Sequence, residues 1–160
     1  MSEFVPLTQA QLEQFPKEFA LFLASLGIDK EHWEKIKKED SDRLHEILRS
    51  FSAVVWTEIL SSAKYLEHKM VDGVALYSCG EKQIQLIYIR SEVIDWSAPD
   101  WFERLMVQLD VSTTSIRTGQ KAYASSRIAE MYALLLKGAE VCSGEIYDQL
   151  SKLLDSKSPS

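Results

Sequence analysis

The chain has 160 residues, of which 46% are hydrophobic and 26% are charged, and this composition excludes intrinsically disordered, collagen-like and disulfide-rich classes. The formal net charge of −6 repels a polyanion at long range, so we expect no nucleic-acid partner. The sequence has neither a secretory signal pattern nor an apolar run of about 18 residues. We therefore expect a soluble, cytoplasmic protein with no membrane partner.

The length is that of one ordinary domain, and it suffices for a hydrophobic core of its own. No internal repeat and no linker composition interrupts the chain. We predict a single α+β domain over residues 1–155, followed by a disordered polar tail over residues 156–160.

Helix signals divide the first part of the chain into four predicted helices, over residues 8–15, 16–26, 29–38 and 41–61. Thr8 and Gln11 have the spacing of a capping box, and Asp29 can cap the third helix. Gly27 suits the residue that ends the second helix. Each of these boundaries follows from local hydrogen-bonding chemistry.

The helix over residues 41–61 keeps the helical period for five turns and is the predicted central core element. Its apolar residues are Leu44, Ile47, Leu48, Phe51, Val54, Val55, Ile59 and Leu60. We predict that Leu48, Phe51 and Val55 are buried together.

After this helix the apolar period changes from that of a helix to that of strands. The predicted strands cover residues 65–71, 74–79 and 83–90. Asp72 and Gly73 form the dipeptide best suited to positive φ in a two-residue hairpin turn, and a second turn surrounds Gly80. Three antiparallel strands in meander order follow from these signals.

The rest of the chain is predicted to contain three helices, over residues 98–109, 122–137 and 144–154, with a loop over residues 110–121. Ser97 and Asp100 again have capping-box spacing, and Gly138 suits the end of the second of these helices. The predicted fold is α+β and mostly helical, with helices from both ends of the chain packed on one face of the three-stranded antiparallel β-meander.

One segment departs from the acidic composition of the chain. Residues 112–127 contain Arg117, Lys121 and Arg127 and no carboxylate. Hydroxyls, free backbone N–H groups and a following helix start suit a phosphate or carboxylate, so we predict an anion-binding site at these three cations. The alternative is an ordinary polar loop, because Ser and Thr are common in loops.

Large aromatic rings cluster around the proline-marked helix start after residue 95. Trp96, Trp101 and Phe102 are candidate interface residues, since half-covered rings are frequent at protein interfaces. Core packing is the more common use of such rings and remains the alternative.

The sequence contains no constellation that indicates catalysis. The three histidines fall on different predicted elements without metal-ligand spacing, and Cys79 and Cys142 belong to no CxxC or Cys/His cluster. Neither a GxSxG elbow nor a phosphate-binding glycine loop occurs. We therefore name no catalytic residue, no metal ligand and no cofactor, and we expect two reduced, buried thiols.

The order of features resembles an uncharacterised family of small cytoplasmic proteins from Bacteroidetes. The residues that carry the resemblance are Leu7-Thr8-Gln9-Ala10-Gln11-Leu12, Trp33-Glu34-Lys35-Ile36-Lys37-Lys38-Glu39, Lys64-Tyr65-Leu66-Glu67-His68 and Leu136-Lys137-Gly138-Ala139. The resemblance implies a bacterial cytoplasmic protein and supplies no catalytic residue.

Two functions from different classes are compatible with the sequence. The first is a non-enzymatic binding or protein-interaction module with an unknown protein partner. The second is a small enzyme or sensor for an anionic small molecule, held by Arg117, Lys121 and Arg127. We expect a monomer or a homodimer. A deep pocket lined by the cations favours the second hypothesis, and a flat apolar patch around Trp96 and Trp101 favours the first.

Overall fold

The computed structural model describes residues 4–108 and 114–157. The chain divides into two compact units, Met1–Ile59 and Leu60–Ser160. Across the described residues, every helix is too short or too polar to cross a lipid bilayer. The single domain expected over residues 1–155 stays a prediction.

The first unit is helical. Its helices are α1 (Gln9–Leu12), α2 (Pro16–Ser25), α3 (Lys30–Glu39) and most of α4 (Ser41–Ser62). The capping box is confirmed, because the backbone N–H of Gln11 donates to Thr8 Oγ1 over 3.2 Å while the Thr8 N–H donates to Gln11 Oε1 over 2.9 Å. Asp29 Oδ1 accepts from the His32 N–H at the start of α3. Gly27 follows α2 and has a φ of 74°, a conformation that residues with a side chain rarely adopt.

The core of the first unit forms around α4. Phe51 is 1% exposed and Val55 is also buried, and both pack with Leu7. The expected burial is therefore confirmed for Phe51 and Val55, whereas Leu48 is only half-buried. Val54 is 50% exposed, so it lies outside the buried stripe of α4 to which the sequence assigned it.

Among its described residues, the second unit contains a five-stranded antiparallel sheet and three complete helices. The strands are β1 (Tyr65–Lys69), β2 (Gly73–Cys79), β3 (Gln83–Arg90), β4 (Ser115–Ala122) and β5 (Glu140–Cys142). The helices are α5 (Trp101–Gln108), α6 (Arg127–Leu136) and α7 (Glu145–Lys157). The strand order is β4-β3-β2-β1-β5, so the predicted meander is present at the centre of a wider sheet. The α+β fold is confirmed, and the prediction of only three strands is wrong.

The first hairpin is confirmed with its turn displaced by one residue. The Met70 N–H donates to the Gly73 carbonyl over 2.8 Å, so the two turn residues are Val71 and Asp72. Gly73 belongs to β2 and does not have a positive φ. A Cβ atom at this glycine would collide with the carbonyl oxygen of Ile89 on β3, and this close approach explains the glycine.

Residues 115–121 form a strand, so the predicted loop over residues 110–121 is wrong there; residues 110–113 lie outside the described ranges. Every residue of β4 pairs with β3, from Ser115 opposite Arg90 to Ala122 opposite Gln83. The side chains of β4 carry no clear apolar alternation, because most of them face solvent. The extended conformation of β4 is therefore set by backbone pairing with the apolar strand β3.

The helix boundaries of the second unit differ from the predicted ones for local reasons. Ser97 donates from Oγ to Asp95 instead of capping a helix, so α5 begins at Trp101. Because β4 extends to residue 122, α6 begins only at residue 127, where the Ser126 hydroxyl accepts from the Ala129 N–H over 3.1 Å. Helix α7 continues to residue 157, into the predicted tail; residues 158–160 lie outside the described range.

Helices of the second unit cover both faces of its sheet, whereas the sequence predicted one covered face. The face formed by Val74 and Ile87 packs against α5 and α7 in one apolar core. Its buried residues are Val74, Leu76, Ile87, Ile89, Ile94, Trp96, Trp101, Leu105 and Leu150. Helix α6 lies over the opposite face, where Glu130 of α6 forms an ion pair with Lys121 of β4. We call these the α7 face and the α6 face.

Candidate functional site

The candidate site is the free edge of the sheet at β4. Strand β4 is the first strand in the sheet order, and among the described residues only β3 pairs with it. An edge strand presents a row of outward backbone N–H and C=O groups that another strand can pair with. The eight residues of β4 make this edge longer than that of β5, which has three residues.

The side chains of β4 are positive and exposed. The strand contains Arg117 and Lys121 and no acidic residue, although the whole chain carries a net charge of −6. Seven of its eight residues are exposed, and Ile116 is half-buried. Within the described part of the chain, Arg117 forms no ion pair.

The two cations of β4 lie on one face of the sheet. Side chains alternate along a strand, so Arg117, Gly119 and Lys121 belong to the α6 face, and Thr118 and Gln120 belong to the α7 face. Arg117 and Lys121 are four residues apart, which corresponds to about 13 Å along an extended strand. Together they place two positive charges on one side of the free edge.

A cavity of 410 Å³ opens beside β4 on the α6 face, and we call it the apolar cavity. Ile84 and Leu86 of β3 and Leu134 of α6 contribute apolar side chains to its wall. Lys121 and Lys137 are its basic residues. Glu130 also lines the cavity, so its apolar interior is combined with two basic residues and one acidic residue.

A second cavity, of 320 Å³, flanks the same strand on the α7 face, and we call it the polar cavity. Thr118 and Gln120 of β4 and Ser151 and Asp155 of α7 line it with hydroxyl, amide and carboxylate groups. Because the two cavities lie on opposite faces of one edge strand, they border the positions that alternate side chains of an added strand would occupy.

Gly119 lines both cavities, as do Leu86 and Gln120. Its φ is not positive, so the backbone does not require a glycine. A Cβ atom built at this position meets no heavy atom within 4 Å. The glycine keeps the space beside the edge open.

Lys121 is held in place by α6. Its Nζ lies 3.0 Å from Glu130 Oε1, and the other carboxylate oxygen of Glu130 accepts from the Ala124 N–H over 3.0 Å. The lysine side chain is 67% exposed and that of Glu130 only 17% exposed. An ion pair with one exposed partner contributes at most about 1 kcal/mol to stability, so an incoming anion can compete for the lysine.

Arg127, the third predicted anion ligand, has a different set of partners. Its guanidinium donates to the carbonyls of Leu60 over 2.8 Å, of Gly80 over 3.2 Å and of Cys79 over 3.2 Å, and also to that of Ala63. These carbonyls belong to the end of α4, the residue after it, the end of β2 and the β2–β3 turn. The structure therefore brings Arg117 and Lys121 to one strand and directs Arg127 to backbone carbonyls.

The aromatic residues predicted at an interface belong to the core beneath α5. Trp96 is 1% exposed and Trp101 is 3% exposed, and Phe102 is half-buried beside them. The indole N–H of Trp96 donates to the Ser91 carbonyl over 3.1 Å. Neither indole offers exposed surface, so within this unit the rings show the core packing that the sequence left as the alternative.

A buried cysteine thiol lines one further cavity. Cys79 and Arg127 line a third cavity, of 760 Å³, together with Lys64. Burial raises the pKa of Cys79 from 9.0 to about 11, which more than offsets the lowering effect of the nearby Arg127. A thiol that keeps its proton at neutral pH is a poor nucleophile. Within residues 4–108 and 114–157, no three His, Cys, Asp or Glu side chains lie close enough to hold a metal ion.

A family model described as Family of unknown function (DUF6495) matches residues 1–155. The chain belongs to this family. A search of curated proteins and a search of solved structures found no match. The resemblance to an uncharacterised family is thus confirmed, and the DUF6495 family assigns no activity to the residues of the edge.

Sequence reasoning missed the feature that organises the candidate site of this DUF6495 member, namely that β4 is a strand at the sheet edge. It also missed the roles of Gly119, Glu130 and Lys137, which come from separate elements. The available signal was the pair of cations at Arg117 and Lys121. Their spacing of four residues puts them on one face of a strand as well as near one face of a helix, so spacing alone could not decide.

Proposed function

We propose that the protein is a non-enzymatic binding module that takes up an extended segment of a partner protein as an additional strand at β4. The observation that carries the proposal is the eight-residue edge, with no partner on its outer side among the described residues. Strand addition to a free sheet edge is a general mode of peptide recognition, in which backbone hydrogen bonds supply much of the affinity.

The chemistry of the edge supports binding rather than catalysis. Its outward groups are backbone amides and carbonyls, which suit hydrogen bonding to an extended chain. The ionisable groups beside the apolar cavity include an ion pair between Lys121 and Glu130. The thiol of Cys79 is kept protonated by burial, which raises its pKa.

A peptide-display selection against the full chain, followed by N-methylation of the selected peptides, tests the proposal. A strand added to an edge uses the N–H groups of alternate residues only. N-methyl groups at one set of alternate positions should abolish binding, while those at the other set should leave it unchanged. Hydrogen exchange should slow at outward amides of residues 115–122.

The control in this experiment is the peptide methylated at the outward-facing positions, because it carries the same chemical change. Binding that is equally sensitive, or equally insensitive, to both methylation patterns would contradict strand addition. So would selected peptides that leave the exchange of the β4 amides unaltered.

A second candidate function is the binding of a small anionic molecule with an apolar body in the apolar cavity. The observation that favours it is the combination of Leu86 and Leu134 with Lys121 and Lys137 around one cavity of 410 Å³. Arg117 lies on the same face and can add a third positive charge. Arg127, which the sequence grouped with these cations, donates instead to carbonyls.

A comparison of decanoate with decanol tests this second candidate, because the two molecules share an apolar chain and differ in charge. Decanoate should raise the melting temperature of the protein, since a ligand that binds only the folded state stabilises it. Lys121→Ala should weaken the shift, and decanol should produce a smaller one. Equal shifts for both molecules would rule out recognition of the charge.

We also propose that the protein works in the cytoplasm of a bacterium. Cys79 and Cys142 are both unpaired thiols, and free cysteines are usual in a reducing compartment. The bacterial origin rests on the sequence resemblance to proteins from Bacteroidetes. Fractionation of the source cells with an antibody to the chain tests the location, and recovery outside the cytoplasm would contradict it.

A further inference from the structure

Backbone pairing at β4 would give affinity for any extended chain and no preference for its sequence. The two faces of β4 have different surroundings, however, and these can select side chains. On the α6 face, the apolar cavity adjoins Gly119, and Arg117 lies two residues away. On the α7 face, the polar cavity adjoins Thr118 and Gln120. An added strand would point alternate side chains into these two environments.

Resting on the proposed function, we infer that β4 selects a partner segment by its alternating side chains. One apolar side chain enters the apolar cavity opposite Gly119, and an acidic side chain two residues from it faces Arg117. The intervening side chains are small and polar and lie along the polar cavity.

The apolar position follows from the open space beside Gly119. A side chain at this residue would project toward the apolar cavity, but the glycine has none, and no atom lies within 4 Å of the position of its Cβ. The cavity wall contains Ile84, Leu86 and Leu134. An aliphatic group from a partner can therefore exchange water for apolar contacts there.

The acidic position follows from the charge of the edge. Arg117 forms no ion pair among the described residues, and opposite charges placed across a strand pair attract each other. Charged side chains on an edge strand also discourage indiscriminate pairing. The charge of Arg117 therefore disfavours basic partner strands and favours a partner strand that has a carboxylate opposite the arginine.

The same charges disfavour a second copy of the chain as the occupant. Two β4 strands paired antiparallel would bring two copies of Arg117 and two of Lys121 to the joined edge, with no acidic residue on either strand. Like charges opposite each other destabilise a strand pair. A separate acidic segment is the better complement.

A synthetic heptapeptide with the sequence Thr-Asp-Thr-Leu-Thr-Asp-Thr tests the inference. Its pattern is the same in both directions, so the result does not depend on whether the added strand is parallel or antiparallel. We call this heptapeptide the designed peptide. In the first comparison peptide, the Gly peptide, Gly replaces the Leu. In the second, the Lys peptide, Lys replaces both Asp residues. Affinity for the full chain is measured by titration, and the exchange of the β4 amides is followed with each peptide.

The variant Gly119→Leu should place a side chain in the part of the apolar cavity beside residue 119 and lower the affinity for the designed peptide by about tenfold, which corresponds to roughly 1.4 kcal/mol. It should leave the Gly peptide unchanged. Thr118→Leu is the matched control, because it places the same side chain on the opposite face. It should lower the affinity for the designed peptide by less than Gly119→Leu does. Circular dichroism verifies that each variant is folded.

The variant Arg117→Glu should lower the affinity for the designed peptide by about tenfold and raise the affinity for the Lys peptide. The order of the two affinities therefore reverses. A merely structural change at this position would weaken both peptides alike. The reversal therefore separates charge recognition from damage to the edge.

The other outcomes distinguish failure of the side-chain inference from failure of strand addition itself. If β4 amides are protected but neither variant alters the peptide preference, strand addition stands and the side-chain inference is wrong. The inference is also wrong if the designed peptide does not bind while selected peptides protect β4. If no peptide of any sequence protects β4, the proposed function fails as well. Protection of β4 without peptide, rising with protein concentration, would identify a second copy as the occupant.

Discussion

Arg127 connects three separate segments of the second unit through a single side chain. Its guanidinium donates to carbonyls of Leu60, Ala63, Cys79 and Gly80. Carbonyls at the end of a helix lack intrahelical donors, and a positive charge there also interacts favourably with the helix dipole. These contacts favour a structural role for Arg127, while its role as an anion ligand stays a prediction.

We predict that Arg127→Leu lowers the free energy of unfolding by about 2–4 kcal/mol, because partly buried carbonyls lose charged donors. Denaturant unfolding measures the change. Arg117→Leu is the control on the exposed strand and should alter stability by less than about 0.5 kcal/mol. Equal effects of the two substitutions would mean that the contacts of Arg127 with the carbonyls do not contribute to stability.

The two strand glycines provide a second comparison at the residue scale. Gly73→Ala would place its Cβ against the carbonyl oxygen of Ile89, so we predict a loss of about 1–3 kcal/mol of stability. Gly119→Ala meets open space and should be neutral or slightly stabilising. Thermal unfolding of the two variants measures the difference. A greater loss in Gly119→Ala would show that the edge is more crowded than its geometry indicates.

At the scale of elements, α4 illustrates how one helix buries only part of its apolar sequence. Phe51 contacts the rings of Phe19 and Phe22, with centroid distances of 4.9 Å and 5.4 Å. Val54 belongs to the same helix and is 50% exposed. The periodicity of the sequence marks both residues as apolar, but only packing within the first unit distinguishes them.

We predict that Phe51→Ala lowers the free energy of unfolding by about 3–5 kcal/mol, the usual cost of a large cavity in a core. Val54→Ala on the same helix should cost less than about 0.5 kcal/mol. Chemical denaturation of both variants tests the assigned face of α4. A loss for Phe51→Ala below about 1 kcal/mol would contradict its burial in this core.

At the scale of the whole molecule, stability should decline in alkaline solution through the buried thiol. The pKa of Cys79 is raised from 9.0 to about 11 by burial, so the folded protein holds this proton more tightly than the unfolded chain. The contribution is fully present below about pH 9 and is lost as the pH rises toward about 11.

Unfolding measured between about pH 8 and pH 11 tests this dependence in the natural chain and in Cys79→Ala. We expect the variant to lose stability less steeply above about pH 9, because its side chain has no proton to lose. Burial also raises the pKa of Tyr77 and Tyr123, and this effect is common to both proteins, whereas the further rise that the charge of Cys79 causes at these two tyrosines is lost in the variant. Identical slopes in the two proteins would refute the role of Cys79.

The sequence alone determined those features whose causes lie within a few residues. The capping box at Thr8 and the cap at Asp29 were predictable because a side chain bonds a backbone N–H three residues away. The central meander followed from apolar runs separated by short turns, and the family was recognisable from short strings of residues.

Tertiary structure decided the features that depend on partners distant in the chain. Strand β4 is a strand because its backbone pairs with β3, and its own side chains give no such signal. Arg127 lies close to the cations in sequence, but carbonyls 47 to 67 residues away hold its guanidinium. The candidate site arises at Gly119, where an open edge borders cavities on both faces, because strand order and helix placement are set by the packing of the whole unit.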